Sequence, residues 1–122
     1  MILLDSNILI YSCQTEFNYL KPLVLETKNY VSHISKLEVL GFPRLLEIEK
    51  QYFENVFKIL NNLPINDAVI DKAIELRQQF NMKSNDGIIA ATALLHDMDV
   101  YTRNVDDFKN ITGLKVINPV DI

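Results

Sequence analysis

The 122-residue sequence is poor in several residue types, and each shortage excludes a class of protein. Cys13 is its one cysteine, which excludes an internal disulfide and any cysteine-cluster metal site. Three glycines and four prolines leave no low-complexity linker. No apolar run approaches the roughly 18 residues that span a bilayer, and residues 1–10 lack the positive charges of a signal peptide. We therefore expect a cytoplasmic protein with no membrane partner.

Positive charge is also scarce, because 12 Lys and Arg residues face 16 Asp and Glu residues, for a net charge of −4. A nucleic acid partner would therefore need a local basic patch. Hydrophobic residues make up 48 % of the chain, as in ordinary globular domains. A chain of this length buries about two thirds of its unfolded surface on folding. We predict one domain, residues 1–122.

Short apolar runs alternate with amphipathic stretches. Strands are predicted at residues 1–4, 30–34, 100–102 and 115–117, and helices around 19–27, at 45–60 and around 69–80. Asn66 or Asp67 is the predicted N-cap of the last of these helices. Residues 87–95 are apolar on nearly all sides, which predicts a central helix with Ser84 or Asn85 as its N-cap. This alternation is typical of an α/β fold around a central, mainly parallel sheet.

Acidic and amide side chains follow the predicted strands. Asp5 ends the first strand, and Glu38 lies four residues past the second, in the first turn of whatever follows. Asp86 opens the central helix. The third strand is followed by Thr102, Asn104 and Asp107. Because the carboxyl ends of parallel strands meet at one edge of a sheet, we expect these side chains to converge.

Converging carboxylates repel one another and are unfavourable without a cation. Oxygen ligands without His or Cys suit Mg²⁺ or Mn²⁺. Such an ion binds phosphate oxygens and supplies a hydroxide nucleophile, which predicts phosphodiester hydrolysis. Each acid also has a simpler structural explanation: Asp5 could cap a helix, Asp86 could complement a helix dipole, and Glu38 could be a solvated surface charge. Spacing alone leaves both interpretations open.

Four segments, in order, resemble the PIN-domain ribonucleases, and among them the VapC-type toxins of toxin–antitoxin pairs. The opening MILLDSNILIY resembles the first acidic motif, and SKLEVLGFP resembles the segment that carries the second acid, here Glu38. KSNDGIIAATAL resembles the third motif, an Asp that opens an alanine-rich helix. VYTRNVDDF, followed by GLKVINP, resembles the C-terminal signature. The resemblance spans residues 1–119.

This resemblance implies a three-layer α/β/α domain and an endoribonuclease that depends on Mg²⁺ or Mn²⁺. It implies that Asp5 and Asp86 are the principal metal ligands, and that Glu38 binds the metal or orients a metal-bound water. Ser6 matches a hydroxyl position that could hydrogen-bond the metal's water shell or the substrate phosphate.

The chain departs from the family pattern at the fourth acidic position, which is Asn104 here, with Asp107 three residues further on. The lost charge should weaken a second metal site, so we expect one well-bound ion. Arg103 and Lys83 flank the acidic motifs and are candidate contacts to RNA phosphates.

The resemblance also implies two protein partners, a second copy of the chain in a homodimer and a small antitoxin. Large apolar residues within 45–63 exceed what one helix face can bury and offer a surface for either partner. The alternative is a PIN-fold module that binds RNA or protein without cutting. A phosphoaspartate receiver and a haloacid-dehalogenase-type phosphatase fit less well, because Ser6 and Asn7 stand where those enzymes need acids.

Overall fold

Five short strands form the centre of the computed structural model, which describes residues 1–120. They are β1 (Ile2–Leu4), β2 (Tyr30–Ser32), β3 (Asn61–Leu63), β4 (Asp99–Tyr101) and β5 (Val116–Ile117). The strand order is β3-β2-β1-β4-β5, and all four pairings are parallel. The predicted central parallel sheet is confirmed. The last two residues of the predicted domain lie outside the described residues, and the single-domain assignment stays a prediction.

Helices cover both faces of this sheet. They are α1 (Ser6–Ser12), α2 (Lys21–Val24), α3 (His33–Leu40), α4 (Glu47–Ile59), α5 (Asp67–Gln79) and α6 (Ser84–His96), with 3₁₀ segments at Thr15–Leu20 and Val105–Asp107. Leu3 packs with residues of α5 and α6, whereas Leu4 packs with residues of α1, α3 and α4. Consecutive residues of β1 thus point into two separate cores, as expected for a strand buried on both faces. The architecture is the α/β/α arrangement of three layers.

None of the described helices is long and apolar enough to span a bilayer.

The second predicted strand is too long by two residues. The Ser32 hydroxyl accepts a hydrogen bond from the Ile34 amide at 3.1 Å, so Ser32 caps α3 and the strand ends there. Glu38 consequently lies in the second turn of α3, and its predicted place in the first turn is wrong.

The predicted N-caps of α5 and α6 fare differently. Of the two predicted caps of α5, Asn66 and Asp67, the structure shows Asn66: its side chain accepts a hydrogen bond from the Val69 amide at 3.0 Å, and α5 begins at the next residue. The central helix α6 begins at Ser84 with Lys83 in the N-cap position, so the prediction that Ser84 or Asn85 caps it is wrong. Its buried alanines confirm its central place.

Candidate active site

Asp5 lies directly after the central strand β1, and its side chain is fixed by hydrogen bonds on both oxygens. Oδ1 accepts from the Ser6 amide at 2.8 Å, which makes Asp5 the N-cap of α1. Oδ2 accepts from the Thr102 hydroxyl at 2.9 Å. Asp5 is only 7 % exposed and Thr102 is fully buried. The pairing of β1 with β4 therefore holds this carboxylate at the carboxyl edge of the sheet.

The loop after β4 is tied to the start of α1 through Asn7. The Asn7 side chain makes both bonds: its Nδ2 donates to Thr102 Oγ1 at 3.1 Å, and its Oδ1 accepts from the Arg103 backbone amide at 3.2 Å. Thr102 Oγ1 also accepts from the Asn104 amide at 3.0 Å. These bonds fix the backbone that carries Arg103 and Asn104 beside Asp5.

Glu38 bridges three helices. Its Oε1 accepts from the Ser6 hydroxyl at 2.9 Å, and its Oε2 accepts from the Asn85 side-chain amide at 2.8 Å. The hydroxyl of Ser6 thus lies between two acids, because it is also 3.5 Å from Asp5 Oδ1. Asn85 is a residue that the sequence reasoning missed in this role, although it directly precedes Asp86. The two donors hold the Glu38 carboxylate at the mouth of the site.

Asp86 lies in the first turn of α6, as predicted, and completes the group. A cleft of about 290 Å³ at the carboxyl edge of the sheet is lined by Asp5, Glu38, Asp86 and Asn104 together with Ser6, Asn7, Ile10 and Asn85. Four segments distant in sequence thus converge, as the strand assignment predicted. Asp107 does not line this cleft but lines a larger neighbouring one that also reaches Asp86.

Two acids of the cleft, Asp5 and Asp86, have raised pKa values. Burial is the main cause that raises the pKa of Asp86 from 3.8 to about 6, followed by the negative charges of Asp5, Asp107 and Glu38, whereas Lys83 lowers it. Burial also raises the pKa of Asp5, against the hydrogen bonds from Thr102 and Ser6 that lower it. Both shifts disfavour the ionised carboxylates.

This donor set fits a hard divalent ion. Its oxygens come from carboxylate and amide groups, and the repulsion among the acids is what a cation would relieve. Within residues 1–120, no three Asp, Glu, His or Cys side chains lie close enough together to hold one ion directly. Mg²⁺ keeps several waters and needs only one or two carboxylates. Asp5 and Asp86 suit that role, with Glu38 fixed by its own donors beside them.

The two predicted phosphate contacts occupy different places. Arg103 is exposed, and its guanidinium carbon lies 4.8 Å from the centre of the Tyr11 ring. It lines a shallow cleft with Asn104 and Asp107. Lys83 is exposed and lines the larger cleft beside Asp86. The two cations thus line two different clefts, and Asp106 and Asp107 line both of them.

Comparison with known proteins gives a consistent picture. The family model of the PIN domain matches residues 2–114. Over 41 residues the chain is 44 % identical to Ribonuclease VapC1 of Rickettsia felis, a match that covers 34 % of this chain and 31 % of that protein. A toxin–antitoxin complex from Klebsiella pneumoniae contains a chain that is 31 % identical, with a TM-score of 0.80 and full coverage of both chains. VapBC-1 from nontypeable Haemophilus influenzae is 26 % identical, with a TM-score of 0.74 and coverage of 97 % and 98 %.

Proposed function

The chain belongs to the PIN domain family, and from that premise we propose that it is a metal-dependent endoribonuclease and the toxin of a toxin–antitoxin pair. The observation that carries the proposal is the cleft in which Asp5, Glu38, Asp86 and Asn104 meet at the carboxyl edge of the sheet. The similarity to a VapC ribonuclease and to chains of toxin–antitoxin complexes supports it. We also propose that residues 1–122 act as one PIN-like domain.

The side chains divide the work of hydrolysis. Asp5 and Asp86 would hold one Mg²⁺ or Mn²⁺ ion, and such an ion would supply charge neutralisation at the scissile phosphate and a more acidic water. Glu38, held by Ser6 and Asn85, accepts a hydrogen bond from the attacking water and orients it. Thr102 keeps the Asp5 carboxylate turned toward the cleft.

Asn104 and Asp107 have weaker parts in this scheme. Asn104 lines the cleft where the family pattern has an acid, and its neutral amide gives a second ion less to bind. Asp107 approaches Asp86 from the neighbouring cleft, close enough to raise the pKa of Asp86. We propose that a second ion binds only together with the substrate, whose phosphate supplies the missing negative charge. Arg103 and Lys83 contact the flanking RNA phosphates.

A cleavage assay tests the activity. The purified chain is incubated with a pool of transfer, ribosomal and unstructured RNA in Mg²⁺, in Mn²⁺ and in EDTA, beside an Asp86→Asn variant prepared identically. We expect cutting in metal, none in EDTA, and none from the variant. RNA binding without cutting in any metal would favour a non-catalytic module. Cutting that survives Asp86→Asn would place the active site elsewhere.

An apolar groove next to the cleft supports the antitoxin partner. It holds about 180 Å³ and is lined by Glu38 and by apolar residues that include Ile10, Val39, Phe42, Leu45 and Phe53. Of its lining residues, Phe42 is 56 % exposed. Ile10 and Glu38 also line the cleft, so a chain seated in the groove reaches the active site. We propose that an apolar segment of the antitoxin binds here.

Substitution in the groove tests this partner. The product of the adjacent reading frame is co-expressed with the wild-type chain, with Phe42→Ser, and with Leu95→Ser as a matched change at an exposed apolar residue on α6. We expect Phe42→Ser to lose the co-purifying partner while it retains metal-dependent cleavage, and Leu95→Ser to keep both. Equal recovery of the partner by both variants would contradict the groove assignment.

We propose further that the chain forms a homodimer, as the family resemblance implies. The outward face of α5 presents Ile70 and Ile74, which are 41 % and 50 % exposed. Light scattering during gel filtration should report twice the mass of the chain, and a monomer at micromolar concentration would refute the proposal. We also propose that the chain acts in the cytoplasm, on RNA present there.

A further inference from the structure

A second, larger cleft adjoins the proposed active site, and of its lining residues the scheme above uses only Lys83, Asp86 and Asp107. It holds about 610 Å³, against about 290 Å³ for the catalytic cleft, and the two share Asp86. Its walls are the end of α5, the 80–83 segment, the first turn of α6, and the 106–111 segment. A strand of RNA whose phosphate lies at Asp86 must enter or leave through such a space.

One wall is basic and held in place. The Arg77 Nε–H donates to the Met82 carbonyl oxygen at 3.1 Å. The stem of Arg77 crosses α6 at Gly87, where an added Cβ would stand only 3.2 Å from Arg77 Cγ. Neither Arg77 nor Lys83 forms an ion pair with any residue in the range 1–120. The remaining guanidinium N–H groups and the Lys83 ammonium are therefore available to an anion.

The floor of the cleft suits a base. Phe80 and Met82 are half-buried and pack against the core while they line the cleft. Aromatic side chains that flank a basic groove stack on unpaired bases without demanding a particular sequence. Single-stranded RNA, whose bases can splay out, is the form that such a surface accommodates.

The cleft also has an acidic wall, formed by Asp106 and Asp107, which disfavours a phosphate on that side. Asp106 is neutralised by Lys109, at 3.1 Å, while Asp107 lies close enough to Asp86 to raise its pKa. A phosphate is therefore repelled by Asp107 and attracted to Arg77 and Lys83.

We infer that this cleft binds the nucleotide next to the scissile phosphate of single-stranded RNA, with Arg77 and Lys83 on its phosphate and Phe80 under its base. The inference rests on the proposed function, because Asp86 joins the two clefts. It adds Arg77 and Phe80 to the substrate-binding residues.

Binding of a fluorescein-labelled single-stranded RNA pool tests the inference, with Ca²⁺ in place of Mg²⁺ and a gel to verify that the RNA stays intact. Arg77→Gln keeps the stem and an amide donor for Met82 but removes the charge. Arg44→Gln makes the same change at an exposed arginine that lines neither cleft. Phe80→Leu removes the ring and keeps an apolar side chain for the core.

We expect Arg77→Gln to weaken binding about tenfold and to reduce the slope of log K against log salt by roughly 0.7. Phe80→Leu should weaken binding about fivefold or more, through lost stacking, with an unchanged slope. Arg44→Gln should match the wild type. Wild-type affinity and slope in Arg77→Gln, or a loss equal to that of Arg44→Gln, would overturn the inference.

Two further outcomes separate this inference from the proposed function. A wild-type chain that cuts RNA in Mg²⁺, while Arg77→Gln and Phe80→Leu bind RNA as well as it does, refutes the subsite and leaves the nuclease standing. A wild-type chain that neither binds nor cuts RNA refutes the proposed function. Loss of the co-expressed partner in Arg77→Gln, with RNA binding intact, would assign the cleft to a protein and overturn the inference.

Discussion

Replacement of Asp86 by asparagine should make the metal-free protein more stable at pH 7. The folded protein raises the pKa of this carboxyl from 3.8 to about 6, chiefly by burial. Because the folded state binds the proton more tightly than the unfolded chain, the free energy of unfolding falls as the pH rises from 3.8 to about 6. Above that window the ionised Asp86 destabilises the fold, and asparagine removes the charge at nearly constant volume.

The size of the effect follows from three quantities. A shift of about two pKa units corresponds to roughly 3 kcal/mol. Asp86 is half-buried, so solvent screening reduces this to about 1–2 kcal/mol. Loss of a carboxylate from the first turn of α6 forfeits about 0.3–1 kcal/mol of interaction with the helix dipole. The expected net gain for Asp86→Asn in EDTA at pH 7 is about 1 kcal/mol.

Urea unfolding in EDTA measures this gain, at pH 7 and again at pH 4, where the two chains should be nearly equally stable. Asp71→Asn, an acid on the exposed face of α5, is the matched control and should change stability by less than about 0.5 kcal/mol. Added Mg²⁺ should then stabilise the wild type, by about 2.7 kcal/mol at one hundred times its Kd, and stabilise Asp86→Asn far less. A variant that is less stable than the wild type at pH 7, or a gain that persists at pH 4, would refute the reasoning.

Three other predictions concern side chains that surround the acids of the cleft. Thr102→Val should lower the free energy of unfolding by about 1–3 kcal/mol, because Asp5 Oδ2 loses its buried donor, whereas Thr102→Ser keeps that donor; equal urea midpoints for the two variants would contradict this. Asn85→Ala should weaken Mn²⁺ binding about 10- to 100-fold, because Glu38 loses a donor that orients it, and it should lower the free energy of unfolding by about 1 kcal/mol. Calorimetric titration gives the affinity, and an unchanged value would remove Asn85 from the site. The same titration of the RNA-free wild type should find one Mn²⁺ per chain, and two equivalent ions would show that Asn104 does not limit the second site.

Much of the fold was predictable because single segments carry strong local signals. The central helix α6 is apolar on nearly every side, and its alanines let it pack closely against β4 and α5. Asn66 capped α5 as predicted, since an amide ahead of an amphipathic stretch has one favoured role.

The elements that sequence reasoning missed depend on tertiary contacts. The edge strand β3 has the sequence NNL, and asparagine is disfavoured in strands. Its backbone pairs with β2. In addition, the side-chain amide of Asn61 donates to the Thr27 carbonyl oxygen at 2.8 Å, and that of Asn62 donates to the Phe57 carbonyl oxygen at 2.7 Å. No hydrophobic periodicity or turn motif in the sequence indicates these pairings.

The candidate site divides in the same way. Asp5, Asp86 and Asn104 were expected at one edge because each follows a strand or opens the helix beside it. The donor that Asn85 supplies to Glu38 joins residues 47 positions apart, and no spacing rule announces it. A hydrogen bond that orients an acid in this way depends on the three-dimensional packing of α3 against α6.

The central position of β1 has a consequence for the newly made chain. Its neighbour β4 lies far along the sequence, and the bond between Thr102 and Asp5 spans 97 residues. At about 5–20 residues per second, the ribosome takes roughly 5–20 seconds to add that stretch. Throughout that interval Asp5 has neither its buried hydroxyl partner nor Asn104 beside it. The proposed nuclease site is therefore assembled late in synthesis, and a nascent chain that stops short of β4 lacks the Thr102 and Asn104 side chains of that site.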